Sequence, residues 1–129
     1  MIPFGAGSSV DVVGRIVLDQ LSAQLGQPIY IENRGGAGGT IGAGMVAKAE
    51  PNGYTILINA SAHSAAPAMH ASLPYDPLRD FSAVANFGSV PQVVIVNATK
   101  GIKTLKELME RAKSGQISFS SAGVGSTTH

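Results

Sequence analysis

Three times in the first half of the chain, a short apolar run gives way to a loop of small residues. Residues 1–4 lead into Gly5-Ala6-Gly7-Ser8, residues 28–31 into the glycine-rich loop 33–40, and residues 54–58 into Asn59-Ala60-Ser61-Ala62-His63. Between the runs, Val12, Val13, Ile16, Val17, Leu21 and Leu25 recur as the stripe of an amphipathic helix over 12–25, which Gly26 is placed to end. A second helical stretch, 41–49, stops before the turn signals Glu50-Pro51-Asn52-Gly53. The order strand, helix, strand, helix, strand predicts an α/β fold with a parallel sheet and right-handed crossovers. Ligands of such sheets sit beyond the carboxyl ends of the strands, and all three loops fall there.

The first loop has the makings of an anion seat. Gly5 and Gly7 allow backbone angles and approaches that a Cβ forbids. Ser8 or Ser9 can cap the helix that follows, and Ser8 and Asp11 are spaced like a capping box with Asp in place of Glu. A helix start holds unpaired N–H groups and the positive end of the dipole, both suited to a carboxylate or phosphate. Ser120-Ser121-Ala122-Gly123-Val124-Gly125-Ser126-Thr127-Thr128 repeats this chemistry near the other end of the chain, so two seats could face each other across a cleft. For either loop a plain structural turn is the alternative. In the loop between them, Gly35 to Gly39 fits close helix packing and ligand contact equally well, and Arg34 fits a ligand carboxylate or a surface ion pair.

Further along, 60–71 reads as a loose, small-residue helix and Leu73-Pro74-Tyr75-Asp76-Pro77 as a turn. Stretches 81–90 and 92–96 are strand-like on either side of Pro91. Thr104 opens an amphipathic helix carrying Leu105, Leu108, Met109 and Ala112, with Thr104 and Glu107 spaced as a capping box, and 117–120 is a short strand. The chain is expected to cross between domains around 90–97, giving a first domain over 1–92 and, over 93–129, a hinge and the start of a second.

Composition removes several function classes. A net charge of +1, 5% aromatics and no basic run give nucleic acid and anionic membranes no foothold. Cysteine is absent, and with it disulfides, thiolate metal sites and cysteine nucleophiles. Gly42-x-Gly44-x-x-Ala47 matches a relaxed dinucleotide fingerprint but falls inside a helix instead of a strand-to-helix turn, and no Walker lysine loop occurs. His63 and His70 lie two turns apart, too far for a zinc-binding helix pair, and no nucleophile elbow surrounds a serine. Neither metal nor cofactor is expected.

The blocks Ile2-Pro3-Phe4, Gly26-Gln27-Pro28, Glu32 through Gly42, Pro51 through Thr55, Leu73 through Pro77, Asp80-Phe81 and Ser121 through His129 resemble the substrate-binding proteins of tripartite tricarboxylate transporters, the Bug-type receptors. The likeness runs in register along the whole chain. It implies a type II periplasmic-binding-protein fold, a parallel-rich sheet flanked by helices, here truncated at both ends and without the family's signal peptide. It also implies a periplasmic, non-enzymatic receptor, a monomer when complete, that hands a small organic carboxylate to membrane transporter subunits. The expected ligand contacts are Phe4, Gly5, Ala6, Gly7, Ser8 and Ser9 in the first loop, Ser61 and His63 in the third, and Ser121, Ala122, Gly123, Gly125, Ser126 and Thr127 in the last. The family usually carries proline at the position of Gly5, glycine at Ser8 and Ser120, and threonine at Val10. A nucleotide- or cofactor-binding α/β enzyme and an inactive gene fragment are the rival readings.

Overall fold

The computed structural model describes residues 1–115, 117–121, 126 and 128. It contains helices α1 (Ser9–Leu25), α2 (Thr40–Ala47), α3 (Ala62–Met69) and α4 (Leu105–Lys113), with single 3-10 turns at Ala37–Gly39 and Ala98–Lys100. The chain divides into two compact units, one of residues 1–87 joined by Ser126 and Thr128, the other of residues 88–121.

Helix α1 starts three residues before the apolar stripe because its cap is Ser8. That residue is extended, and its Oγ accepts from Asp11 N at 3.3 Å. At the other end Gly26 adopts the left-handed conformation, φ 63°, and its N–H returns to Ser22 O.

The expected parallel sheet is reduced to a stub: among the described residues there is one isolated parallel bridge, Ile2 with Asn33. Ile2 N donates to Glu32 O at 2.8 Å and Arg34 N to Ile2 O at 2.9 Å. On its other side, Ile58 N donates to Met1 O at 3.0 Å and the Met1 ammonium to Ile56 O at 2.8 Å. Residues 1–2 thus hydrogen-bond to residues 32–34 on one side and to residues 56–58 on the other. Beyond these bonds Tyr30 and Tyr54 stand 87% and 92% exposed.

The core of the first unit is Ile2, Leu18 and Ile58, with Phe4, Val10, Leu21, Ile29 and Ile31 packed around it. Helix α1 meets this core through Asp11, Gly14 and Leu18, whereas Val12, Val13, Ile16 and Leu25 of the predicted stripe are exposed. Gly14 is part of that contact. A Cβ there would lie 3.0 Å from Ile2 Cδ1 and 3.4 Å from Ile58 Cδ1, so at this position the two side chains come close against the helix backbone.

Helix α2 uses glycines in the same way. A Cβ on Gly42 would lie 2.7 Å from Arg34 O and 2.8 Å from Pro3 Cβ, and one on Gly44 would lie 3.2 Å from Pro74 Cγ. The fingerprint glycines are therefore packing glycines, and α2 touches both α3 and the Ala37–Gly39 turn.

In the second unit Thr104 caps α4 by accepting from Glu107 N at 3.2 Å, and Glu107 Oε2 accepts from Lys103 N at 2.8 Å. The reciprocal half of the predicted capping box lands one residue early. No residue of α4 is buried, and the expected strands 81–90 and 92–96 do not form. Val93, Val94 and Ile95 are exposed, so the apolar side chains of the second stretch do not form a buried face. No described helix is long and apolar enough to cross a membrane.

Candidate functional site

The loop from Phe4 to Ser9 is a tight turn, closed by Ser8 N donating to Gly5 O at 3.1 Å, with Gly7 at φ 82°. Gly5, Ala6, Gly7 and Ser9 are exposed, while Phe4 and Ser8 are half-buried. Six of the expected ligand contacts therefore lie together at the start of α1, four of them exposed to solvent. The amides of Gly5, Ala6 and Ser9 have no hydrogen-bond partner among the described residues. The amide of Gly7 is taken, since it donates to Asp11 Oδ2 at 2.8 Å.

Asp11 is the centre of the site's internal structure. Its side chain is buried, and it accepts from Gly7 N, from Arg15 Nε at 2.9 Å and from Asn33 Nδ2 at 2.9 Å. Asn33 Nδ2 also donates to Phe4 O at 3.0 Å, and Asn33 Oδ1 accepts from Arg15 Nη2 at 3.0 Å. Asp11, Arg15 and Asn33 are thus each bonded to the other two. The Arg15 guanidinium, followed by the Gly7 and Asn33 donors, holds the Asp11 carboxyl far below the usual carboxylate range. It stays ionised, and Arg15 neutralises it. A carboxylate already occupies part of the helix N-terminus that the sequence offers to a ligand.

The second glycine loop lies beneath the first. A Cβ on Gly35 would sit 3.6 Å from Gly5 N, and one on Gly39, at φ 96°, 3.4 Å from both Phe4 Cζ and Pro3 O. Of the two readings open for this loop, packing is the one these positions display. Arg34 is engaged with Glu32, its Nε donating to Oε1 at 2.7 Å, in an exposed pair.

The other expected contacts belong to other segments of the chain. Ser61 is exposed ahead of α3, and its hydroxyl makes no cap bond. His63 lies in an aromatic cluster, stacked on Tyr75 at 5.8 Å and edge-on to Phe81 at 4.9 Å, with Asn59 Nδ2 at 3.3 Å from its Nδ1. Burial of Tyr75 in that cluster pushes its hydroxyl pKa up. Ser121 is half-buried in the second unit; Ser126, in the first, is buried with its Oγ 3.1 Å from Thr128 Oγ1. Ala122, Gly123, Gly125 and Thr127 lie outside the described residues. Among the described residues no three His, Cys, Asp or Glu side chains converge as a metal would require.

The sequence reading missed the roles of Arg15 and Asn33 and gave Asp11 only a cap. Asp11 and Arg15 do carry a local signal, the i,i+4 spacing of an ion pair on one helix face. Asn33 carries none, because its partners are 22 and 29 residues away.

A model of the tripartite tricarboxylate transporter family receptor matches residues 13–129. The chain belongs to this receptor family. A UPF0065 protein of Bordetella bronchiseptica is 42% identical over 98% of the chain, and the protein BugT of Bordetella pertussis is 35% identical over all of it. The periplasmic binding protein BugD superposes on 98% of the chain with a TM-score of 0.75 at 32% identity. A structure described as a periplasmic transporter superposes on 60% of it with a TM-score of 0.57 at 47% identity. The chain spans 38% of the length of the B. bronchiseptica relative, 41% of BugT and 43% of BugD. The periplasmic-binding-protein fold implied by the family resemblance is therefore the fold of its structural neighbours. The family match opens at Val13, beyond the first loop, but BugT and BugD align across nearly the whole chain.

Proposed function

We propose that the protein is a periplasmic solute receptor that captures a small organic carboxylate for a tripartite tricarboxylate-type transporter and catalyses no reaction. The first loop carries this reading. It is an exposed turn whose Gly5, Ala6 and Ser9 amides have no partner among the described residues, and it opens α1 in a chain of a receptor family. Amides at a helix start suit a carboxylate through hydrogen bonds and the helix dipole. The seat's own charges, Asp11 and Arg15, balance, so recognition rests on these dipoles. Ser61, His63 and the residues Ser121, Ala122, Gly123, Gly125, Ser126 and Thr127 supply further contacts. Residues 1–92 serve as the first domain and 93–129 as the hinge and the start of the second, in a receptor that works as a monomer with membrane transporter subunits.

The test is calorimetric titration with benzoate, succinate, glutamate and citrate, on the 129-residue chain and on the longest product of its reading frame. Saturable binding of at least one acid, weakened by Ser9→Pro, which removes an amide at the seat, is expected. No binding to any of the four in either form refutes the reading.

A further inference from the structure

The three side chains joined beneath the first loop do more than cap a helix. Asp11 and Arg15 come from successive turns of α1, and Asn33 comes from the segment that pairs with Ile2. Asn33 spends both hydrogens of one amide nitrogen, one on Phe4 O and one on Asp11 Oδ1, and its oxygen on Arg15. Asp11 takes the Gly7 amide. The loop is therefore fastened at both ends, at the Phe4 carbonyl and the Gly7 N–H, while Gly5 and Ala6 between them stay open to solvent.

We infer that the ring Asp11–Arg15–Asn33 holds the first loop in its ligand-receiving shape before ligand arrives, with Asn33 and Asp11 as positioning residues. This rests on the proposed carboxylate role of the loop. Two physical consequences give the ring its value. First, Gly5 contributes the freest backbone in the loop, and fixing its neighbours in advance removes an ordering cost that a ligand would otherwise have to supply. Second, the ring decides which donors remain. Gly7 N–H is spent on the protein's own carboxylate, so a ligand is received by the amides of Gly5, Ala6 and Ser9, and Arg15 cancels the Asp11 charge that would repel it. The apparent dissociation constant of a site scales inversely with the fraction of molecules holding the competent shape. Loosening the loop thus weakens binding without removing any atom that touches ligand.

The deciding variant is Asn33→Ala, which frees Phe4 O and one Asp11 oxygen and leaves the Asp11–Arg15 pair on α1 intact. Backbone ¹⁵N relaxation of the 129-residue chain reads the loop without any ligand. In the wild type, order parameters at Gly5, Ala6 and Gly7 near the rigid value of about 0.85 are expected. In Asn33→Ala they fall below about 0.6 while those of Leu18 in α1 stay rigid. Calorimetry with succinate and citrate then shows a dissociation constant raised on the order of tenfold, the low end for losing a hydrogen bond to a charged group. Loop order parameters unchanged in the variant overturn the inference, as does a loosened loop with unchanged affinity. If Asn33→Ala does not fold, Arg15→Gln is read by the same two measurements, with loosening and at least a threefold loss of affinity expected. Should the wild type bind none of the four acids, the carboxylate reading fails while the relaxation comparison still decides whether the ring fastens the loop.

Discussion

Replacing Gly42 with alanine isolates the packing on which the first loop stands. In an exposed helix interior the change would stabilise by about 1 kcal/mol, because glycine is the poorer helix former. Here the new Cβ would lie 2.7 Å from Arg34 O, 2.8 Å from Pro3 Cβ and 3.0 Å from Pro3 Cα. None of these is the end of a flexible side chain, so either α2 or the 1–4 segment has to shift. Overpacking of this kind costs about 1–3 kcal/mol, and three rigid contacts put it near the top of that range. The net expectation is a loss of about 2 kcal/mol, roughly a 30-fold fall in the folding constant. Urea unfolding of the 129-residue chain, followed by far-ultraviolet circular dichroism, measures it as a lowered midpoint at unchanged slope. Gly14→Ala is the control. Its Cβ would meet the mobile end of Ile2, Cδ1 at 3.0 Å, so propensity and crowding should nearly cancel. If Gly42→Ala is as stable as the wild type, α2 does not rest on Pro3 and Arg34 as described. If Gly14→Ala loses equally, the argument from rigid against flexible neighbours fails.

Other positions test the remaining links. Ser8→Ala should cost about 0.5–1 kcal/mol in the same unfolding experiment, the low end for a lost cap because the Oγ bond is long at 3.3 Å. Gly26→Ala should cost about 1 kcal/mol, since the αL angle of φ 63° then carries a Cβ; no loss would mean that α1 ends elsewhere. The folded pKa of Asp11 lies below the unfolded value of about 3.9, so its contribution is complete above about pH 5 and is lost as pH falls from there through the folded value. The unfolding midpoint should therefore drop with acid below about pH 4, and more steeply in the wild type than in Asp11→Asn; equal slopes would remove Asp11 from the account.

The helices were legible because their signals are local. Ser8, Gly26 and Thr104 fix ends through bonds reaching three to five residues along the chain, and the structure places caps at all three. The sheet was legible only as an order of segments. Periodicity says that residues 28–31 and 54–58 are apolar, but hydrogen bonding needs a neighbour at the right register, and among the described residues Met1 and Ile2 are the ones that bond to both neighbouring segments. The face of α1 was misread for a related reason. Val12, Val13 and Ile16 make the stronger apolar stripe, whereas the buried face includes Asp11 and Gly14, a carboxylate and a residue without a side chain, which no hydrophobicity pattern records.

In the site, the loop's position was visible and its polarity was not. A glycine-serine turn before a helix announces free amides, but which of them stay free depends on acceptors that arrive from elsewhere. Asp11 has the spacing of a cap, so it reads as a residue serving the helix. It becomes a residue serving the loop only when Asn33, 22 positions later, takes Oδ1 and Arg15 shares Oδ2 with Gly7. That same arrangement explains why an aspartate can stand at an anion seat at all. Alone it would occupy the helix dipole and repel a second carboxylate. Paired with Arg15 it becomes a neutral acceptor that orients Gly7 and, through Asn33, Phe4, leaving the amides of Gly5, Ala6 and Ser9 without a partner among the described residues. The selectivity of the seat therefore depends as much on where the protein has spent its own donors as on the donors the loop contains.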